Sequence, residues 1–555
     1  SDALAIAQAA TQSGKLTVVV TSDTARAEKL KESIAFFTGD DGEVLHFPDR
    51  ETLPYDNFSP HQDITSDRLL SLYQLPQRRS GVLVIPISAL MHRLPPCEYV
   101  MKNTVQLACG DQTAPEQLCQ QLDRAGYRRT DTVMEHGEFA QRGSLIDLYP
   151  MGSSLPLRVD FFDDCVESLR SFDPESQRSL GKTTEFRLLP AREMPLTSSS
   201  IKLFKEQWHS RFTVSHQQCP TYRDVADGLA PPGIEYYLPL FFDQTVLLTA
   251  YLPDSCLLIL DQGAHQAAEH FWQDVCNRHQ DLNIDPRRPL LPPQELFSTC
   301  EELFAALRPY PRFELLRDTP ATEPRHVDHL PFTPAPDLMA DARKQTPWQK
   351  LVDFKQQWTG RMLLTAESPG RREALLEQLQ QAGLQAKTLA SWPEFLSEKT
   401  ALAIAVAPLS GSFLIGSELA VIPESDLLGG RVVQQRREAR NRDGADAVIR
   451  NLAELTIGAA VVHIDHGVGR YLGLQSLDVD DQPMEFLVLQ YADEAKLYVP
   501  VSSLHLINRY TGVADDTAPL HRLGSDAWQR EREKAARQIR DAAAELLEIY
   551  ARRAA

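Results

Sequence analysis

Two uninterrupted apolar runs near the start narrow the folds open to this chain. LTVVVTSD, Leu16 to Asp23, has no polar alternation before its polar stop. A strand of that kind belongs in a parallel sheet covered on both faces. TARAEKLKESIAFF follows as an amphipathic helix, and EVLHFPDR as a second strand. GVLVIPISALM, Gly81 to Met91, is a third strand that runs into a helix. This succession predicts a doubly wound α/β unit. It returns between Phe354 and Gly429 as RMLLTAES, GRREALLEQLQQAG and AKTL. In both places a strand runs out at a serine, and the next helix carries arginine then glutamate in its first turns (Arg26 and Glu28; Arg371 and Arg372, then Glu373). The two stretches read as related Rossmann-type layers, a weak internal repeat.

Between them the pattern changes. APEQLCQQLDRAG is helical, and SLIDLYP, LPLRVDFFDD and CVESLRSFD are short strands with turns. The expected organisation is a first α/β part at 1–103, an inserted α+β domain at 104–189, and a second α/β part at 190–310, with strands at TVLLTAYL and SCLLILD. A proline-rich linker at 311–347 and a second small α/β domain at 348–429 follow. GGRVVQQRREARNRDGAD opens an Arg-rich linker, 430–454, read either as a solvated helix or as a nucleic-acid contact. Residues 455–524 form a run of short strands with glycines at Gly467, Gly469 and Gly473, where a small barrel must bend. From 525 to 555 one long helix is expected, with Trp528, Ala535, Ile539, Ala542, Leu546 and Tyr550 near one stripe. The fold class is thus multidomain α/β with a small SH3- or Tudor-like barrel. The absence of an initiator Met and the uncapped helical end lead us to expect a piece of a longer protein.

With 555 residues, about three to five domains are expected. A net charge of −19 argues against a chain that grips DNA over its whole surface, and favours protein partners. No run approaches the ~20 apolar residues of a membrane helix. The eight cysteines form no C-x-x-C pair, which fits reduced thiols in a cytoplasm. A monomer is expected.

Catalytic chemistry finds no set of residues. A phosphate loop needs Gly-x-x-x-x-Gly-Lys-Ser/Thr. At Gly14-Lys15 the first glycine is replaced by Ala9 and the hydroxyl by Leu16, and the segment precedes a strand instead of following one. DEAK, Asp493 to Lys496, imitates a helicase box but lies between two barrel strands and reads as a hairpin turn. His463 and His466 have no third ligand at sensible spacing and read as core or turn residues. No catalytic, cofactor-binding or metal residue is therefore assigned.

Binding surfaces are more legible. In LRVDFFDD, Leu157, Val159 and Phe161 face a core, and Arg158, Asp160 and Phe162 face outward. Arginine beside an exposed aromatic is the composition of an energetic interface; the alternative is a surface Arg-Asp pair with Phe162 tucked under a loop. Arg142, before a turn glycine, joins the same face. In GRYLGLQSLDV, strand alternation puts Tyr471, Gly473, Gln475 and Leu477 on one face. Leu477 there either closes the barrel or meets a partner.

HGEFAQRGSLIDLYP and LRVDFFDDCVESLRSFDPESQRSL resemble the inserted domain of excision-repair protein UvrB and its counterpart in the bacterial transcription-repair coupling factors. ETLPYDNFSPHQDITSDRLLSLYQL resembles the flanking α/β domain. HGVGRY, EFLVLQYA and KLYVPVSSL resemble the RNA-polymerase-interacting module that coupling factors share with CarD-type regulators. The resemblance implies that Arg142, Arg158 and Phe162 dock UvrA, and that Leu477 and Tyr498 meet the RNA polymerase β subunit. It implies that the complete family protein is an ATP-dependent DNA translocase using ATP and magnesium, with a motor outside these residues. It also implies a docking face that a further domain masks. Only a few residues separate Tyr55 from His61 and Asp67, which leaves no room for UvrB's damage-probing hairpin. DNA contact by this segment is expected to be weak at most. Two other readings stay open: an active helicase, and a stand-alone CarD-like regulator that leaves the first 450 or so residues unexplained.

Overall fold

The computed structural model describes residues 2–39, 43–316, 329–340, 346–428, 458–463, 466–479, 482–500, 507–509 and 520. The Arg-rich linker at 430–454 and the terminal helix at 525–555 lie outside them. The chain divides into two compact units, Ser1–Arg50 with Pro54–Arg431, and Glu51–Leu53 with Val432–Ala555.

In the first unit, Leu16–Thr21 is the central strand of a five-stranded parallel sheet. It pairs with Leu257–Asp261 on one side and Gly81–Pro86 on the other. All six of its residues are buried, as the unbroken apolar run requires. Val44–His46 and Arg312–Leu315 form the two edges.

The six-stranded sheet of the inserted domain runs Ser179–Thr183, Cys165–Phe172, Leu157–Phe162, Leu145–Leu148, Glu138–Arg142 and Arg128–Arg129. Val159, Phe161, Ile146 and Phe139 on one face join the main core, together with Leu118 and Leu122 of the helix Pro115–Arg124.

The second α/β layer is a six-stranded sheet centred on Arg361–Ala366. One face packs Met362 and Leu364 against Leu375 and Leu379 of the helix Pro369–Gln381. The opposite face packs Leu363, Ala403 and Val421 against Leu30, Ile34 and Phe37 of the helix Thr24–Thr38. That helix also covers Val19 and Val84 of the first sheet, so one helical layer serves two sheets. The two α/β layers therefore share one core.

Two expectations do not hold. TVLLTAYL is not a strand: Val246 makes a single bridge to Leu94, and Leu248–Tyr251 is a 3-10 turn. Leu248 and Tyr251 are buried, so the apolar run marks core depth and not extended backbone. The stretch 311–347 is not simply a linker. It supplies two edge strands, Arg312–Leu315 to the first sheet and Phe332–Pro334 to the second.

The second unit is a five-stranded antiparallel sheet in the order Lys496–Pro500, Gln482–Gln490, Gly467–Val479, Ala460–His463 and Ile507–Arg509. A 3-10 turn at Ala492–Glu494 joins two of these strands where DEAK suggested a hairpin turn. Among the described residues, no helix is long and apolar enough to cross a membrane.

Candidate protein-docking faces

The inserted domain carries its outward residues on two hairpins. Arg142 ends one strand and Gly143 turns the chain with φ 64°, a conformation that glycine takes without steric cost. Phe162 ends another, and Asp163 turns it with φ 49°, which aspartate tolerates better than most residues. Register places Arg142 opposite Leu145, Leu145 opposite Asp160, and Asp147 opposite Arg158. Arg142, Arg158, Asp160 and Phe162 therefore share the face turned away from the core. Phe162 is 68% exposed, which removes the reading in which a loop covers it.

The two arginines differ. Arg142 is exposed and donates to the Asp131 carbonyl at 2.6 Å. Arg158 is half-buried. Its Nε donates to Asp147 Oδ1 at 2.7 Å and a terminal nitrogen donates to Oδ2 at 2.9 Å. Its guanidinium also lies 5.0 Å from the centre of the Phe172 ring. The hydrogen bond to Asp147 raises the Arg158 pKa. Sequence reading missed Asp147, although its strand partner is the arginine itself. Only the hairpin register reveals the pair.

The second candidate face lies in the antiparallel sheet. Tyr498 pairs with Val488, and Leu477 pairs with Met484 four residues along the same strand. Positions four apart lie on the same side of a pleat. Tyr498 is 38% exposed. A bulge between Tyr471 and Gly473 corrects the alternation read from sequence. Leu472 is the extra residue, so Tyr471 lies on the side opposite Gly473 and Gln475. One inserted residue reverses facing for everything before it.

At the carboxyl ends of the central strands, the place where doubly wound sheets hold ligands, side chains of this chain pair with one another. Asp23 caps the helix Thr24–Thr38 by accepting from the Arg26 amide at 2.7 Å. The Arg26 guanidinium meets buried Asp261, at the end of the neighbouring strand, at 3.1 Å. In the second layer Ser368 caps the helix Pro369–Gln381, and Arg371 pairs with buried Glu424. The repeated arginine is thus a structural ion pair at both helix starts.

Behind the return from the inserted domain lies a buried ionic cluster. Glu193 accepts from Arg50 at 2.5 Å and from Arg68 at 2.6 Å. Arg68 also donates to the Pro48 carbonyl and stacks over Phe47. Burial alone would raise the Glu193 pKa, but Arg68 and Arg50 outweigh it and hold it down at about 2. Glu193 lies over a hundred positions from both arginines in sequence, and nothing in the sequence announces the cluster.

Three family models match. The UvrB interaction domain matches residues 105–194, the MFD, D3 domain residues 354–427, and the CarD-like/TRCF RID domain residues 455–511. Together they define a multidomain α/β chain that combines a UvrB-type module with a CarD-type module. Over 539 residues, 97% of this chain and 47% of the relative, it is 45% identical to the transcription-repair-coupling factor of Escherichia coli (strain K12). It is 42% identical to that of Haemophilus influenzae over 100% of this chain and 48% of the relative, and 26% identical to that of Bacillus subtilis over 98% and 47%. Along nearly its whole length the chain is similar to transcription-repair-coupling factors. It spans about half the length of the curated relatives it matches.

Proposed function

We propose that this chain serves transcription-coupled nucleotide excision repair by recruitment. Its inserted domain takes UvrA on the face of Arg142, Arg158 and Phe162. Its antiparallel sheet, closing as a small SH3- or Tudor-like barrel, takes the RNA polymerase β subunit at Leu477 and Tyr498. The observation that carries the reading is the exposed Phe162, held beside arginines on the domain matched as the UvrB interaction domain. The whole protein is then an ATP-dependent DNA translocase that removes stalled polymerase. This half of it acts as a cytoplasmic monomer without nucleotide or metal, and touches DNA weakly at most.

The test is a two-partner binding measurement with this chain and no nucleotide. Both UvrA and RNA polymerase are expected to bind. Leu477→Arg is expected to weaken polymerase binding roughly 100-fold or more, as a charge at an interface centre does, and to leave UvrA affinity unchanged. Equal polymerase binding by the variant would overturn the assignment of that edge; loss of both partners would indicate unfolding, read directly from the melting curve.

A second prediction concerns nucleotide. Titration with a fluorescent ATP analogue is expected to show no saturable binding, because Asp261 and Glu424 stand at both helix starts. Saturable binding that ATP competes away would favour the helicase reading.

A further inference from the structure

We propose that Arg170, with Lys182 beside it, is a further docking residue of the inserted domain, and that it takes a carboxylate on the surface of the partner. The proposal rests on the reading of this face as the UvrA-docking face.

Register places Lys182, Arg170, Arg158 and Asp147 in successive positions across four neighbouring strands. Directly opposed residues in an antiparallel sheet have Cβ atoms about 4.5–5.5 Å apart, and like charges there repel. Asp147 is fully engaged by Arg158. Among the described residues, no hydrogen bond or ion pair joins the Arg170 or Lys182 side chain to a carboxylate, Asp160 one row along included, and the Arg170 Nε is buried without a partner. Counting Arg142 and Arg128, the face holds five cations against the carboxylates Asp147, Asp160 and Glu138. That leaves two positive charges in excess on a chain of net charge −19.

This arrangement is electrostatically incomplete in the free chain. Arg170 is half-buried, so part of its desolvation is already complete before a partner arrives. Its guanidinium fork matches a carboxylate by two parallel hydrogen bonds. The same chemistry would suit a phosphate. A nucleic-acid backbone, however, extends beyond the patch into the repulsion of an acidic chain. A protein surface meets only the local patch, and the neighbouring exposed Phe162 suits a protein interface.

The experiment titrates UvrA with the whole chain by calorimetry at low and at high salt. The variants are Arg170→Gln, Lys182→Gln and Phe162→Ala. Arg170→Gln is expected to weaken binding roughly tenfold or more at low salt, and less at high salt, with a melting temperature unchanged or raised because a like-charge contact is removed. Lys182→Gln is expected to act in the same direction by a smaller factor. Failure of the unaltered chain to bind UvrA overturns both this inference and the function it rests on. Weakening by Phe162→Ala with none by Arg170→Gln overturns this inference alone. A lowered melting temperature in Arg170→Gln overturns the claim that the row is unsatisfied. A short DNA duplex run as a second ligand completes the test, since DNA binding lost on Arg170→Gln would reassign the patch to phosphate.

Discussion

Glu193→Ala is expected to lower the stability of the first unit by about 3–5 kcal/mol, the cost of breaking a buried ionic cluster from one side. The variant leaves Arg50 and Arg68, both almost wholly buried, without the carboxylate that neutralises them. Arg68 keeps the Pro48 carbonyl and the Phe47 ring, but neither supplies a charge. The position also matters for architecture. Glu193 follows the point where the chain leaves the inserted domain: Ala191 donates to the Ala125 carbonyl, and the Arg192 carbonyl accepts from Tyr99. Loss of the cluster frees that return segment. Chemical denaturation of the two proteins, compared at their midpoints, measures the effect. A change below about 1 kcal/mol, the range of an exposed pair, would mean the cluster contributes no more than a surface contact.

The same residue sets a pH dependence. The folded Glu193 pKa of about 2 lies below the ordinary value of 4.5. An acid shifted down in this way contributes stability that is complete above the unfolded pKa and is withdrawn as pH falls through the folded one. The unaltered chain is therefore expected to lose stability between about pH 5 and pH 2 more steeply than Glu193→Gln, the two curves converging at the acid end. Parallel curves across that window would show that the carboxylate is not held by its arginines.

The sequence was most readable where burial is two-sided. LTVVVT and RMLLTA became central parallel strands, buried along their whole length apart from Arg361. It was least readable where strands are short and exposed. Arg312–Leu315 and Phe332–Pro334 show no alternation of buried and exposed residues, and both lie at sheet edges. The bulge at Leu472 has no signature beyond the following glycine, yet it decides which side Tyr471 takes. Of the proposed docking face, the alternation in LRVDFFDD correctly separated outward from inward positions. What it did not contain was the neutralisation of Arg158 by Asp147, because an ion pair across a hairpin depends on register. The arginines repeated at Arg26 and Arg371 were visible as a pattern, but their carboxylates come from strands distant in sequence.

The Arg158–Asp147 pair determines how the proposed docking face is best tested. Removing Arg158 strips buried Asp147 of the cation that neutralises it, so a loss of binding would be mixed with a loss of folding. Phe162→Ala has no such complication, because the ring makes little contact with the rest of the chain. It is expected to cost roughly 2–4 kcal/mol of UvrA binding, the range of central aromatic anchors, while the melting temperature stays within a degree or so of the unaltered chain. Adding Arg142→Ala, also exposed, is expected to weaken binding further. The mechanism is burial: an aromatic already held out in water by a turn at Asp163 gains its full transfer energy on docking and gives up little conformational freedom. Unchanged UvrA affinity in a folded Phe162→Ala chain would remove this face from the interface.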